Sequence, residues 1–173
     1  MNISIKKHQT ACITGHRPKS LPWGYDEEKQ NCLLFKAKAK SMLEDAINYG
    51  ITTFLTGMAE GFDMIATELL LELKQIYNQI KIVAVIPCLN QEIKWKPHQQ
   101  LRYHTIKAQC DDIIVLSPYY TANCMNIRNK FMVKHSCLCV ACWNGLPSGT
   151  GNTIRFAKEN GNKIKIINPK DYI

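Results

Sequence analysis

Apolar and polar positions follow two alternating habits along this chain. Short runs rich in β-branched residues recur at 10–14 (TACIT), 51–56 (ITTFLT), 81–87 (KIVAVIP), 112–117 (DIIVLS), 137–143 (CLCVACW) and 163–168 (KIKIIN). Each has the length of a strand, and several are apolar on both faces, as strands covered on two sides must be. Between them the spacing turns helical: Cys32, Phe35, Ala39, Met42, Leu43, Ala46 and Ile47 form one stripe, and Phe62, Ile65, Ala66, Leu69, Leu73, Ile76 and Tyr77 form another. Gly50 is placed to end the first of these helices and Gly161 to end a later one. Segments 97–110 and 123–135 are less regular but long enough for helices. Strand and helix alternate about five times, which predicts an α/β, Rossmann-like three-layer domain around a mainly parallel sheet of five to six strands.

Composition narrows the picture without changing it. A chain of 173 residues suits a single domain spanning 1–173, able to bury roughly 70% of the surface its unfolded form exposes. No repeat, low-complexity tract or linker interrupts it; the irregular stretches are a Pro/aromatic loop near 18–26 and a polar loop near 88–98. The start lacks the apolar stretch of a signal peptide, and no run approaches the ~18–20 apolar residues that span a bilayer, so a cytoplasmic protein without a membrane partner is expected. Most of the eight cysteines lie in apolar runs and are expected as reduced thiols. The run HSCLCVAC has the residue types of a zinc site. Strand alternation, however, sends Cys137 and Cys139 one way and Cys142 the other, so no metal is expected there.

Charge is uneven. Residues 1–72 carry 8 basic against 9 acidic side chains, and residues 73–173 carry 14 against 5. Such an excess draws anionic ligands or polyanions, and it equally describes scattered solubilising lysines.

In an open parallel sheet, ligands settle beyond the carboxyl ends of the strands, where helix N-termini present unpaired N–H groups. After the first strand comes TGHRP, with Thr14, Gly15, His16 and Arg17. Gly15 permits a sharp turn, His16 can donate or accept near neutral pH, and Arg17 offers a planar fork for phosphate or carboxylate. The competing reading pairs Arg17 with Asp26, Glu27 or Glu28. After the second strand comes TGMAEGFD, leading into the next helix. Gly57 and Gly61 allow close backbone approach there, and Glu60, Asp63 and Glu68 are the candidate catalytic carboxylates, suited to ribose hydroxyls, a metal or a water. Equally, Asp63 can cap the helix and Glu68 can be a solvated face residue.

After the fifth strand comes WNGLPSGTGNT. Gly145, Gly149 and Gly151 leave N–H groups uncovered, Ser148, Thr150 and Thr153 add hydroxyls, and a helix begins where a phosphate would sit. The stretch is neither a Walker A loop nor a first-strand dinucleotide fingerprint.

Together the three motifs resemble the YpsA-like branch of the SLOG superfamily, named for DNA-processing and cytokinin-activating (LOG) members, over nearly the whole chain. The resemblance implies a Rossmann-like fold and binding of a nucleotide or nucleotide-derived ligand such as ADP-ribose, NAD or a mononucleotide, sensed in some members and cleaved in others. It places Gly15, His16, Arg17, Gly57, Glu60, Gly61, Asp63, Ser148, Gly149, Thr150 and Gly151 around that ligand. In the hydrolysing members a Pro-Gly-Gly-x-Gly-Thr-x-x-Glu pattern supplies a glutamate; laid on Pro147, it puts Arg155 in that position, and a guanidinium cannot act as the base. A nucleotide-processing hydrolase of the LOG-like type then needs its carboxylate from Glu60, Asp63 or Glu68.

Three functions follow as expectations. The first is a ligand-sensing module working through a homo-oligomer or a separate effector protein; the second is the hydrolase. The third is single-stranded nucleic-acid binding, for which Trp95, His98, Arg102, Tyr103 and His104 offer an aromatic-basic patch that also fits an ordinary amphipathic surface. Tyr119, Tyr120, Asn126 and Asn129, after the fourth strand, can meet a base or be plain loop and helix residues.

Overall fold

The computed structural model describes residues 4–173; the reading of the chain's start draws partly on residues 1–3, which lie outside the described residues. All six apolar runs become strands: β1 (Thr10–Gly15), β2 (Thr53–Thr56), β3 (Lys81–Ile86), β4 (Asp112–Val115), β5 (Leu138–Cys142) and β6 (Lys163–Ile167). Five helices alternate with them: α1 (Gln30–Asn48), α2 (Phe62–Lys74), α3 (Pro97–Lys107), α4 (Cys124–Lys134) and α5 (Gly149–Glu159). The strands form one parallel sheet in the order β4-β3-β2-β1-β5-β6. Successive connections run outward from β1 to β4, then return to β1's other side for β5 and β6. The order therefore reverses between β1 and β5, and a crevice opens beyond their carboxyl ends.

Strand alternation splits the core in two. Ala11, Ile13, Phe54, Val140 and Cys142 face one way and pack with Phe35 and Leu43 of α1 and Ile65 and Leu70 of α2. Farther along that face, Ala84 and Ile86 meet Tyr103 and Ile106 of α3. Cys12, Leu55, Val83, Cys139 and Ala141 face the other way and pack with Met132 and Val133 of α4 and Ile154 and Ala157 of α5. Both faces of the central strands are thus dry, which is why β1, β2 and β5 read as nearly continuous apolar runs.

Two local expectations shift. The apolar stripe of α2 reaches Tyr77 in sequence, but the helix ends at Lys74. The amides of Ile76 and Tyr77 both return to the Leu73 carbonyl, a tightened last turn that leaves Ile76 72% exposed. Cys137 does not share a face with Cys139. Regular pairing begins at Leu138, so Cys137 precedes the strand and packs on the α1/α2 side while Cys139 faces α4 and α5. All eight cysteines are free thiols, and among the described residues no His/Cys/Asp/Glu group has an arrangement that holds a metal ion. Among the same residues, no helix is long and apolar enough to cross a membrane.

Candidate anion-binding site

His16 stitches three strand-end loops into one rim. Its amide donates to the Cys142 carbonyl at the end of β5 (3.2 Å), and its own carbonyl accepts from the Phe62 amide at the start of α2 (3.1 Å). Its Nε2 accepts from the Asn144 amide in the β5–α5 loop (3.1 Å), which fixes the tautomer with the proton on Nδ1. The imidazole is 4% exposed. Burial pulls its pKa below the ordinary histidine value, the Asn144 side chain, as distinct from its amide, pulls the other way, and Lys170 adds to the lowering.

The glycines let these loops meet. Gly61 has φ +91°, and a Cβ there would overlap the His16 carbonyl oxygen. A Cβ on Gly15 would stand 2.5 Å from Phe62. Behind them, a Cβ on Gly57 would collide with the Arg128 guanidinium, whose Nη1 donates to the Gly57 carbonyl. These three positions are glycine because the protein's own chain fills the space.

At α5 the situation differs. Ser148 caps the helix, its Oγ accepting from the Gly151 amide (3.1 Å), while the Asn152 amide reaches the Ser148 carbonyl (3.0 Å). The Gly149 and Thr150 amides have no partner among the described residues. Gly149 has ordinary backbone angles, and a Cβ on it would meet nothing within 4 Å. No acidic side chain occupies the first turn, so the positive end of the helix dipole is uncompensated from within.

These elements enclose a cleft of about 430 Å³. Thr14, Gly15, His16, Arg17, Asp63, Ser148, Gly149 and Thr150 line it, all expected from sequence, as does Asn129, weighed there as a contact to a base, together with Lys19, Ser20, Ala59, Met125, Arg128 and Pro147. Arg17 makes no ion pair among the described residues. Of its proposed acidic partners, Glu27 is taken by Arg102 and Lys36. Arg128 is 4% exposed and also donates from Nε to Asn129 Oδ1 (2.7 Å). Asn129 in turn donates to Thr153 Oγ1 (2.9 Å), tying α4 to α5 at the rim. Asp63, also 4% exposed, accepts from the Ala59 amide (3.4 Å). Burial pushes its carboxyl above the usual carboxylate range, while Arg128 and Arg17 pull the other way. Burial also draws Arg128 below the ordinary guanidinium value, with Asp63 opposing; a guanidinium stays charged nonetheless. The cleft thus sets Arg17, Lys19 and Arg128 against one carboxylate, beside two free N–H donors, and can hold an oxyanion.

Other expected residues lie elsewhere. Gly57, Gly61 and Gly151 support the cleft from behind. Glu60 sits beside it, with its Oε1 accepting from the Tyr25 hydroxyl (3.3 Å). Glu68 requires correction as a catalytic candidate: its carboxylate is gripped by Arg102 Nε (2.9 Å) and Nη2 (2.6 Å), and Arg102 also chelates Glu27 (2.7 and 3.1 Å). That network consumes Arg102 and, with Tyr103 buried and His104 Nε2 3.2 Å from Glu92, leaves Trp95 and His98 as the remaining members of the aromatic-basic patch. Arg155 lies 3.6 Å from Glu159 with its side chain 61% exposed, far from a catalytic setting. Asn126 bonds Asn123, while Tyr119 and Tyr120 stay exposed outside the cleft.

Arg128 was not expected from sequence. A signal existed: Cys124, Arg128 and Met132 recur every fourth residue on the buried face of α4, and a cation in an apolar stripe requires partners inside. Two larger grooves, of about 970 and 710 Å³, lie away from the crevice. The first is lined by His8, Tyr49 and Cys137 where the strands begin, the second by Glu68, Leu101 and Arg102 between α2 and α3.

Comparison with known proteins agrees with this architecture. The family model YpsA, described as the YspA SLOG family, matches residues 11–171. A UPF0398 protein of Brevibacillus brevis is 30% identical over 114 residues, 65% of this chain and 61% of that protein. A UPF0398 protein of Halalkalibacterium halodurans is 27% identical over 166 residues, 92% of this chain and 87% of that one. Among solved structures, DNA processing protein A from Helicobacter pylori, described with its single-stranded DNA binding mode, superposes with a TM-score of 0.60 at 17% identity. It covers 92% of this chain, which spans only 65% of that protein.

Proposed function

Since the chain belongs to the YspA SLOG family, we propose that it binds a nucleotide or nucleotide-derived ligand, of the ADP-ribose, NAD or mononucleotide kind, in the cleft between β1 and β5. The observation that carries this reading is the start of α5. Two amides without partners and a glycine that neither backbone angle nor packing demands face a cleft bearing Arg17, Lys19 and Arg128. A phosphate placed there completes the helix terminus, as carboxylates or phosphates do wherever such a terminus is open. Ser148, Gly149 and Thr150 hold the phosphate with Arg17 and Arg128, and Thr14, Gly15 and His16 form the opposite wall. Asp63 is held by its neighbours to position Arg128, and Glu60 is left for the ligand's ribose. The protein acts as a sensor, passing the bound state to a second copy or a separate effector.

A thermal-shift panel of AMP, ADP-ribose and NAD tests this. A ligand at ~100 times its dissociation constant adds ~2.7 kcal/mol to stability, and Arg17→Ala removes about half of that shift or more. No shift at millimolar concentration for any of the three overturns the proposal. Chromatography of the same mixtures separates sensing from hydrolysis, for which Asp63 is the one buried carboxylate at the cleft among the described residues.

A second reading is single-stranded nucleic-acid binding. It is favoured by the fold shared with DNA processing protein A and by the cationic cleft. Oligonucleotide affinity that falls steeply with salt, and survives saturation with AMP, supports it over the first.

A further inference from the structure

Arg17 faces two ways. On one side it lines the cleft; on the other its guanidinium carbon lies 5.9 Å from the centroid of the Trp95 ring. Trp95 belongs to the β3–α3 connection and is held in place rather than loose. Its ring stands edge-on to buried Tyr103 (5.4 Å between centroids, 85°), its amide donates to the Glu92 carbonyl (2.8 Å), and its carbonyl accepts from Gln100 Nε2 (2.9 Å). A second ring stands nearby: Tyr25 is 46% exposed, with Lys96 Nζ over its face at 5.0 Å. Its hydroxyl donates to Glu60 Oε1, leaving Oε2 with no partner among the described residues, and Glu60 makes no ion pair there.

Trp95, partly buried against the Tyr103 cluster, and exposed Tyr25 each carry a cation over one face, and Tyr25 stands beside a carboxylate with acceptor capacity to spare. Aromatic faces of this kind stack nucleobases whatever the base, because every base has a π-face. A carboxylate accepts hydroxyl donors such as those of a ribose. From this geometry we infer that Tyr25, Trp95 and Glu60 form a nucleoside subsite continuous with the anion cleft, so that the occupant is a nucleoside phosphate rather than a sugar phosphate or inorganic phosphate. The inference rests on the cleft reading above: Arg17 is the shared wall, the phosphate lies on its α5 side and the nucleoside crosses to the Trp95 side. The base displaces Lys96 from Tyr25, and the ribose hydroxyls donate to Glu60.

Calorimetric titration of the full chain with AMP, ribose 5-phosphate and inorganic phosphate tests it. AMP binds about tenfold or more tighter than ribose 5-phosphate, the factor a single base stack supplies. Tyr25→Ala removes that margin and leaves ribose 5-phosphate affinity unchanged. Trp95→Ala risks the packing on Tyr103, so Trp95→Leu accompanies it, and the melting temperature of each variant is recorded. Glu60→Gln weakens AMP but not 2′,3′-dideoxy-AMP. Equal affinity for AMP and ribose 5-phosphate, or variants that weaken both alike, overturns the subsite while leaving the cleft standing. Absence of binding by all three compounds overturns both.

Discussion

The N-termini of α2 and α5 start from similar sequence, a strand running into glycines and then a helix, yet they are finished in opposite ways. At α2 the protein closes the terminus itself. The Phe62 amide is taken by the His16 carbonyl, Asp63 sits in the first turn, and Gly61 lies so close to the β1 loop that a side chain has no room. At α5 the protein stops short: Ser148 satisfies one amide, two more stay open, no acid enters the first turn, and space surrounds Gly149. Glycine at one junction answers to the fold; at the other, neither backbone angle nor packing requires it.

The sharpest way to break this comparison is to add one methyl group at each junction. Gly61→Ala forces a positive φ on a residue with a side chain and drives it into the His16 carbonyl; strain and overpacking together cost about 2–5 kcal/mol. Gly149→Ala stays within about 0.5 kcal/mol of the parent, as surface substitutions without strain do, yet it weakens phosphate binding. Urea denaturation of both variants, followed by titration with AMP, checks the pair. Equal destabilisation of the two would erase the distinction.

Next in size is the cation shared by the two ends of the proposed site. Arg17→Ala removes a charge-assisted hydrogen bond to the ligand and lowers AMP affinity by about 1.5–3 kcal/mol. Stability changes less than affinity, because Arg17 makes no ion pair among the described residues and contributes to the fold only through its pull on Asp63 and its place over Trp95. A large fall in melting temperature would instead make Arg17 part of the fold.

Ser148→Ala comes third. It deprives the Gly151 amide of its acceptor at the α5 cap and costs about 1 kcal/mol, or about 2–4 °C in melting temperature for a chain of this size. Ser148→Asp keeps the cap and restores that stability. It also brings a negative charge beside the open amides, so it lowers affinity for AMP. Restored stability with undiminished affinity would separate α5 from the ligand.

How much of this contrast was legible beforehand follows from the range of the interactions. The strands, the helix stripes and the three glycine-bearing junctions are local patterns, and periodicity exposes them. That β1 and β5 are neighbours, and hence that TGHRP meets SGTG, required the reversal of strand order, which the motifs imply but periodicity does not. The fate of Glu68 was invisible, since Arg102 lies 34 residues from it and 75 from Glu27. Arg128 lay in between: its place in the Cys124–Met132 stripe was readable, but its partner, a carbonyl 71 residues away, was not.

The smallest effect concerns one proton, and it tests whether His16 joins the two termini. His16 is the link between them, bonded through its carbonyl to α2 and through Nε2 to the loop that leads into α5. Burial holds the folded imidazole below the pKa of about 6.5 expected when the chain is unfolded. Above that value both states are neutral and the bond contributes fully. As pH falls below it, the unfolded chain takes up a proton that the folded protein resists, so stability declines until the lowered folded pKa is passed. The slope from this residue is at most about 1.4 kcal/mol per pH unit. Once protonated, Nε2 becomes a donor facing the Asn144 amide, also a donor, with Lys170 adding repulsion. The β5–α5 loop then loses its side-chain tie to β1, keeping the backbone bond from His16 to Cys142, and AMP affinity falls alongside stability. Melting curves from pH 7.5 to 5, run against His16→Gln, isolate the contribution: the parent declines more steeply than the variant. Parallel profiles would mean that the rim is held by its backbone bonds alone, and that the open end of α5 is set without reference to the closed end of α2.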